Sequence, residues 1–119
     1  MISEDDIRLL GEIIEEISWL NRYESELFGD GYPQRLIDND SNYLAILFKL
    51  VLIGELSIRL SKNFKDCHSE IVWKHVIALR NNLVHNYANV NREIIIKSLD
   101  KPVETLRKFC IEVLKSQVG

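Results

Sequence analysis

Excess positive charge, paired cysteines and long apolar runs are all missing from this 119-residue chain, and each absence closes off a class of function. With 15 Lys and Arg against 18 Asp and Glu, the formal net charge is −3. The protein as a whole therefore carries no electrostatic footprint for nucleic acid, and any RNA contact has to come from a local patch. Lys74, Arg80, Arg92 and Lys97 are the cations available for one. Cys67 and Cys110 lie far apart with no metal-type spacing, which fits buried or free thiols in a reducing compartment. Glu4, Asp5 and Asp6 make the amino terminus acidic, where a secretory leader needs basic residues before an apolar run. The most apolar stretch, Leu44 to Gly54, is too short to span a bilayer and contains Lys49, with Glu55 and Arg59 just beyond. A soluble cytoplasmic protein without a membrane segment is expected.

What is present reads as one helical domain over residues 1–119, long enough at 46% hydrophobic to bury a core without staples. Ser3 is an N-cap, with Asp6 three residues on as a weaker form of the capping box. Ile7, Leu10, Ile14, Ile17, Tyr23 and Leu27 hold the helical period to about Phe28, where Gly29, Gly31 and Pro33 break it. Asp38-Asn39-Asp40-Ser41 offers caps for a second helix, about Ser41 to Asn63, that is apolar nearly all round at first. Such a helix is the buried centre of a bundle or part of an oligomer interface, and Gly54 permits close approach to a neighbour. A short linker through Lys65-Asp66 leads to Ser69 as cap of a third helix, with an apolar stripe of Val72, Val76, Leu79 and Leu83. Ile94, Ile95, Ile96 and Leu99 predict a short fourth helix, since no other segment could pair with them as strand. Pro102 at a first helical position starts the last, with Val103, Leu106, Phe109, Cys110, Val113 and Leu114 on its buried face. The expected fold is an all-α, up-and-down bundle of four to five helices.

The third helix carries the unusual stretch, Arg80-Asn81-Asn82-Leu83-Val84-His85-Asn86-Tyr87. Singly, an arginine, histidine or tyrosine on a helix is mostly structural. Together they supply a permanent cation, a base that titrates near neutrality and a phenol within eight residues. A histidine can move protons, and an arginine can hold a phosphate and stabilise charge growing on it. Those are the minimum parts for RNA cleavage by attack of the ribose 2′-hydroxyl on the neighbouring phosphate. No metal or other cofactor is expected, because His68 and His75 have no ligand spacing with His85. Arg80 and His85 are expected on the two flanks of the core stripe, about 140° apart around the axis and roughly 7.5 Å along it. They can converge on one phosphate only if the arginine reaches round or a partner surface closes over them.

The pattern arginine, four residues, histidine, one residue, tyrosine resembles the signature of the HEPN superfamily, in its HepT-like branch. Ile53-Gly54-Glu55 followed by Leu60-Ser61 is similar to that branch's second-helix motif. Trp73, and Leu79-Arg80-Asn81 running into Leu83-Val84-His85, is similar to its central helix. The resemblance implies an all-α homodimer that cleaves RNA without metal, as the toxin of a toxin–antitoxin system, with two motifs facing each other across a cleft. On that reading His85 is the catalytic acid/base, Arg80 the phosphate holder and Asn81 the polar residue that positions them. The implied partner is a minimal nucleotidyltransferase antitoxin that neutralises the toxin by transferring AMP onto Tyr87. The alternative is a non-catalytic HEPN adaptor that docks the nucleotidyltransferase. One departure stands out: where the branch commonly carries polar or charged residues, this chain has Phe48, Lys49, Leu50 and Val51. Glu55 is retained, either in the site or simply paired with Arg59 one turn on.

Overall fold

The computed structural model describes residues 2–23 and 40–118, the side chains at 23, 40, 96–101 and 118 excepted. The expected helix end at Phe28, the Gly29–Pro33 break, the caps Asp38 and Asn39, and the Lys97 side chain lie outside the described residues. The helices are α1 (Glu4–Tyr23), α2 (Asp40–Arg59), α3 (Lys62–Cys67), α4 (Trp73–Asn86) and α5 (Arg92–Val118), with a 3₁₀ turn at Tyr87–Asn89. No strand occurs among the described residues, so the all-α expectation holds.

α1 opens at the expected cap: Ser3 Oγ accepts the Asp6 N–H at 3.1 Å, and the Ser3 carbonyl takes the Ile7 N–H at 3.0 Å. The other half of the capping box is not made. The Asp6 carboxylate is buried and reaches the far end of α2, accepting the Ser61 N–H at 2.9 Å and the Ser61 hydroxyl at 2.6 Å. Ser61 Oγ in turn accepts the Phe64 N–H at 3.1 Å and caps α3. This relay ends α2 at Arg59 rather than near Asn63, because Ser61 is held extended (φ −62°, ψ 149°) to serve both partners. The expected linker through Lys65-Asp66 is therefore helical. Lys65 Nζ closes the end of α2 by donating to the Ser57 and Ile58 carbonyls at 3.1 and 3.2 Å, a cation where the helix leaves carbonyls unpaired.

Burial works against the charged form of Asp6, but the hydrogen bonds from Ser61 and Ser3 and the nearby Lys65 charge outweigh it. Its pKa falls below the usual 3.8. A carboxylate depressed on folding stabilises above its unfolded pKa and loses that contribution as pH falls through the folded value. Asp6→Ala should therefore lower stability by about 2–3 kcal/mol at neutral pH, the range for a charge-assisted bond and a donor left unpaired. Urea denaturation of wild type and variant should show a gap that is full above pH 5 and closes below about pH 4. A gap that persists in acid would show that the charge is not what matters.

Ser69 does not cap α4. That helix starts at Trp73 after Val72 without a side-chain cap. Its start is fixed by aromatic packing: Trp73 Nε1 donates to the His68 carbonyl at 3.0 Å, and the Trp73 and Phe64 rings both pack edge-on against Phe109 of α5. The two expected carboxy-terminal helices are one, with Pro102 inside it. Ile95, Val103, Leu106, Cys110 and Val113 are all buried, at helical spacing on both sides of the proline. One continuous apolar stripe holds both halves to the core and offsets the hydrogen bond that proline cannot donate. Burial also pushes the Cys110 thiol up to about 12, leaving it inert.

α2 lies between α1 and α4, and α1 lies between α2 and α5. The core is built from Leu10, Ile13, Ile17 and Leu20 of α1 meeting Ile46, Leu50 and Ile53 of α2 and the buried side of α5. The Leu44–Gly54 stretch is part of a longer run, Ser41–Arg59, that is long and apolar enough by length and composition to cross a bilayer. That apolarity serves packing on two neighbours, with Tyr43, Ile46, Leu47, Leu50, Ile53 and Leu56 buried. The expected stripe on α4 is only partly covered: Leu83 is buried but Val72 is 53% exposed. Val76 and Leu79 instead line a groove of about 270 Å³ with Leu50, Ile53, Val103 and Leu106, where α4 and α5 do not close on each other.

Candidate active site

The site begins at the crossing of α2 and α4. A side chain on Gly54 would fall on the Cβ of Arg80 and within 2.7 Å of its Cγ. Only glycine lets the two backbones approach this closely, and Arg80 is the residue that fills the gap. It is therefore not on an outer flank, as helical spacing suggested. It leans onto α2, and its side chain is 23% exposed.

The guanidinium emerges beside Glu55. Arg80 Nε donates to Glu55 Oε1 at 2.9 Å, Nη2 donates to the same oxygen, and Nη1 donates to Asn81 Oδ1 at 2.8 Å. Glu55 is thus paired across the helix crossing and not with Arg59 along its own helix. Asn81 accepts from Arg80 and, among the described residues, makes no bond to His85. Two N–H groups of Arg80 remain, one on each terminal nitrogen. His85 lies on the exposed side of α4 with no hydrogen-bond or ionic partner among the described residues. Tyr87 is 62% exposed in the 3₁₀ turn that ends α4, its carbonyl accepting the Val90 N–H.

The four residues singled out before Gly54 on α2 separate cleanly. Lys49 turns to α1, 2.8 Å from Glu16 and over the ring of Trp19, and takes no part in the site. Leu50 is core, Val51 is half-buried and Phe48 is 62% exposed. Phe48 shares with Leu44 and Glu55 one face of α2, while Val84, also exposed, sits next to His85. An apolar strip thus borders the polar cluster. Of the proposed basic patch, Lys74 is exposed and Arg92 stacks over Tyr43 at 4.2 Å from the ring centre. Burial raises the Tyr43 pKa, with the Arg92 charge opposing it. Among the described residues, no three His, Cys, Asp or Glu side chains cluster as a metal site.

This arrangement can be set against known proteins. The family model described as ribonuclease HepT-like matches residues 7–113. The chain belongs to the ribonuclease HepT-like family. "Putative RNase TTE0752" of Caldanaerobacter subterraneus subsp. tengcongensis is 34% identical over 73 residues, covering 61% of this chain and 65% of that one. The match thus spans slightly less than two thirds of that relative. "Probable ribonuclease HepT" of Thermococcus cleftensis is 26% identical over 98 residues, 82% and 86% of the two chains. "Putative RNase MJ0127" of Methanocaldococcus jannaschii is 25% identical over 115 residues, 96% and 92% of the two chains. No solved structure matches the chain significantly. In this HepT-like chain the polar cluster offers an oriented cation with two free donors and, five residues on, an imidazole open to solvent. Glu55 and Gly54 are the members whose partner the sequence did not reveal. The register of Ile53-Gly54-Glu55 was the one signal, and it marks the element without saying what it meets.

Proposed function

We propose that this protein is the toxin of a toxin–antitoxin system, a metal-independent endoribonuclease acting in the cytoplasm as a homodimer. The observation that carries the reading is an arginine held in one orientation by Glu55 and Asn81 on the same helix as an exposed His85 that has no partner among the described residues. In the reaction, the 2′-oxygen of a ribose attacks the adjacent phosphorus as His85 removes its proton. The bond to the 5′-oxygen breaks, that oxygen takes a proton, and a 2′,3′-cyclic phosphate and a 5′-hydroxyl result. Arg80 stabilises the charge on the phosphoryl oxygens. One histidine per protomer cannot be base and acid at once, and Arg80 and His85 leave α4 in different directions. A symmetric pair of chains answers both difficulties, and the exposed Leu44, Phe48 and Val84 beside the cluster supply apolar surface for the pairing.

The test is incubation of the pure protein with total RNA in EDTA. Cleavage that disappears in both Arg80→Ala and His85→Ala supports the enzyme, whereas equal background in all three rejects it. Sedimentation should give a dimer. The second reading, a non-catalytic adaptor, draws on the offset of the Arg80 charge by Glu55 and on the exposure of Tyr87. Both readings give Tyr87 to a minimal nucleotidyltransferase as the acceptor of AMP, whose phosphate would bring negative charge and block the site. Tyr87→Phe should fold and cleave as wild type but resist neutralisation by the cognate nucleotidyltransferase. Intact-mass measurement showing AMP still added at the normal level would reject Tyr87 as acceptor.

A further inference from the structure

Among the described residues Glu55 is the one carboxylate in contact with Arg80, and the manner of contact is informative. A surface ion pair between flexible side chains wanders, and is worth little. Here the arginine stem is seated on the Gly54 backbone, and two of its nitrogens converge on a single carboxylate oxygen while a third is taken by Asn81. Every rotatable bond of the side chain is thereby constrained. The three engaged N–H groups face Glu55 and Asn81, and only the remaining edge of the guanidinium is left for an incoming anion. The carboxylate also subtracts one unit of charge at the place where an RNA phosphate is to bind.

We propose that Glu55 is the positioning residue of the site: it fixes which edge of Arg80 meets the RNA phosphate, at the expense of RNA affinity. The inference rests on the nuclease reading above. It makes two effects run in opposite directions. Removing the carboxylate releases the guanidinium, which lowers the rate of the chemical step. The same change makes the site more positive, so RNA binds as well as before or better. A residue that only stabilises the fold does not separate rate from binding in this way.

The experiment measures kcat and KM on a short single-stranded RNA in EDTA for wild type, Glu55→Ala and Glu55→Gln, with thermal unfolding of each. Glu55→Ala should lower kcat by about 30–100-fold, the scale of a misplaced catalytic group, while KM stays level or falls. Glu55→Gln keeps a carbonyl oxygen in place of the carboxylate oxygen and should restore most of kcat, with the lower KM retained. The Arg80 Nε–H signal in a ¹⁵N spectrum should be slow to exchange in wild type and Glu55→Gln, and lost to exchange in Glu55→Ala. Unchanged or raised kcat in Glu55→Ala overturns the proposal, the latter by making Glu55 a brake. A loss of activity that follows loss of folded protein, with KM unchanged, also overturns it. If wild type itself does not cleave, the nuclease reading fails first and this inference falls with it. A cleaving wild type with an indifferent Glu55→Ala sinks the inference alone.

Discussion

RNA cleavage by His85→Ala is expected to fall by about 10²–10⁴-fold, the usual contribution of a positioned general acid or base. The fold should not notice. His85 is exposed and bonds to nothing among the described residues, so its removal leaves no orphaned partner. Melting temperature and sedimentation should match wild type, which separates loss of chemistry from loss of structure. Arg80→Ala is expected to cost about 10²–10³-fold by removing the group aimed at the charged transition state. Arg80→Lys should recover little, because an ammonium cannot reproduce the planar fork that engages Glu55 and Asn81 together. The measurement is the initial rate of cleavage in EDTA with active-site concentration held fixed. An Arg80→Ala protein that cleaves within threefold of wild type would remove the arginine from the mechanism.

Gly54→Ala is expected to damage the protein out of proportion to the single methyl group it adds. The new methyl group would overlap the Cβ of Arg80 and crowd its Cγ. Those atoms belong to the root of the side chain, so no change of rotamer relieves the overlap and α4 itself has to move. Alanine favours a helix over glycine by about 1 kcal/mol, whereas forcing extra volume into a packed contact costs about 1–3 kcal/mol. Since the obstacle here is a Cβ and not a flexible tip, the steric cost should win. A net loss of about 1–2 kcal/mol is expected in urea denaturation. Activity should suffer more than stability. Moving α4 by an ångström shifts Arg80 relative to Glu55, and misplacement on that scale costs about 10²-fold. Combining Gly54→Ala with Arg80→Gly should recover the stability, because deleting the opposing Cβ removes the overlap. Additive losses in the double variant would show that the crossing is not what the glycine serves.

Much of the fold was legible because it depends on local spacing. The periods of Leu10 and Ile17, and of Val103, Leu106 and Cys110, mark helices and their buried faces in any context, although on α1 it is Ile13 and not the expected Ile14 that is fully buried. Ser3 as a cap is a local event as well. Two of the misjudged boundaries were decided by packing and not by the local signal. Asp6 looks like half of a capping box but is drawn away by Ser61, which ends α2 early. Pro102 looks like a helix start but is carried through by the apolar stripe on either side of it.

The candidate site divides in the same way. Arg80, Asn81, His85 and Tyr87 fall within eight residues at the end of one helix and the turn that follows it, so the chain by itself determined that a cation, an amide, an imidazole and a phenol would be neighbours. It also determined the helical class and the family pattern, since both are carried by short-range order. Only the tertiary structure decided which way the arginine turns and what holds it. Gly54 and Glu55 are 25 or more residues from Arg80, and no periodicity links them. Helical geometry fixes the angle at which a side chain leaves its own axis; the depth of a helix crossing, set by the side chain that is missing, fixes what it meets.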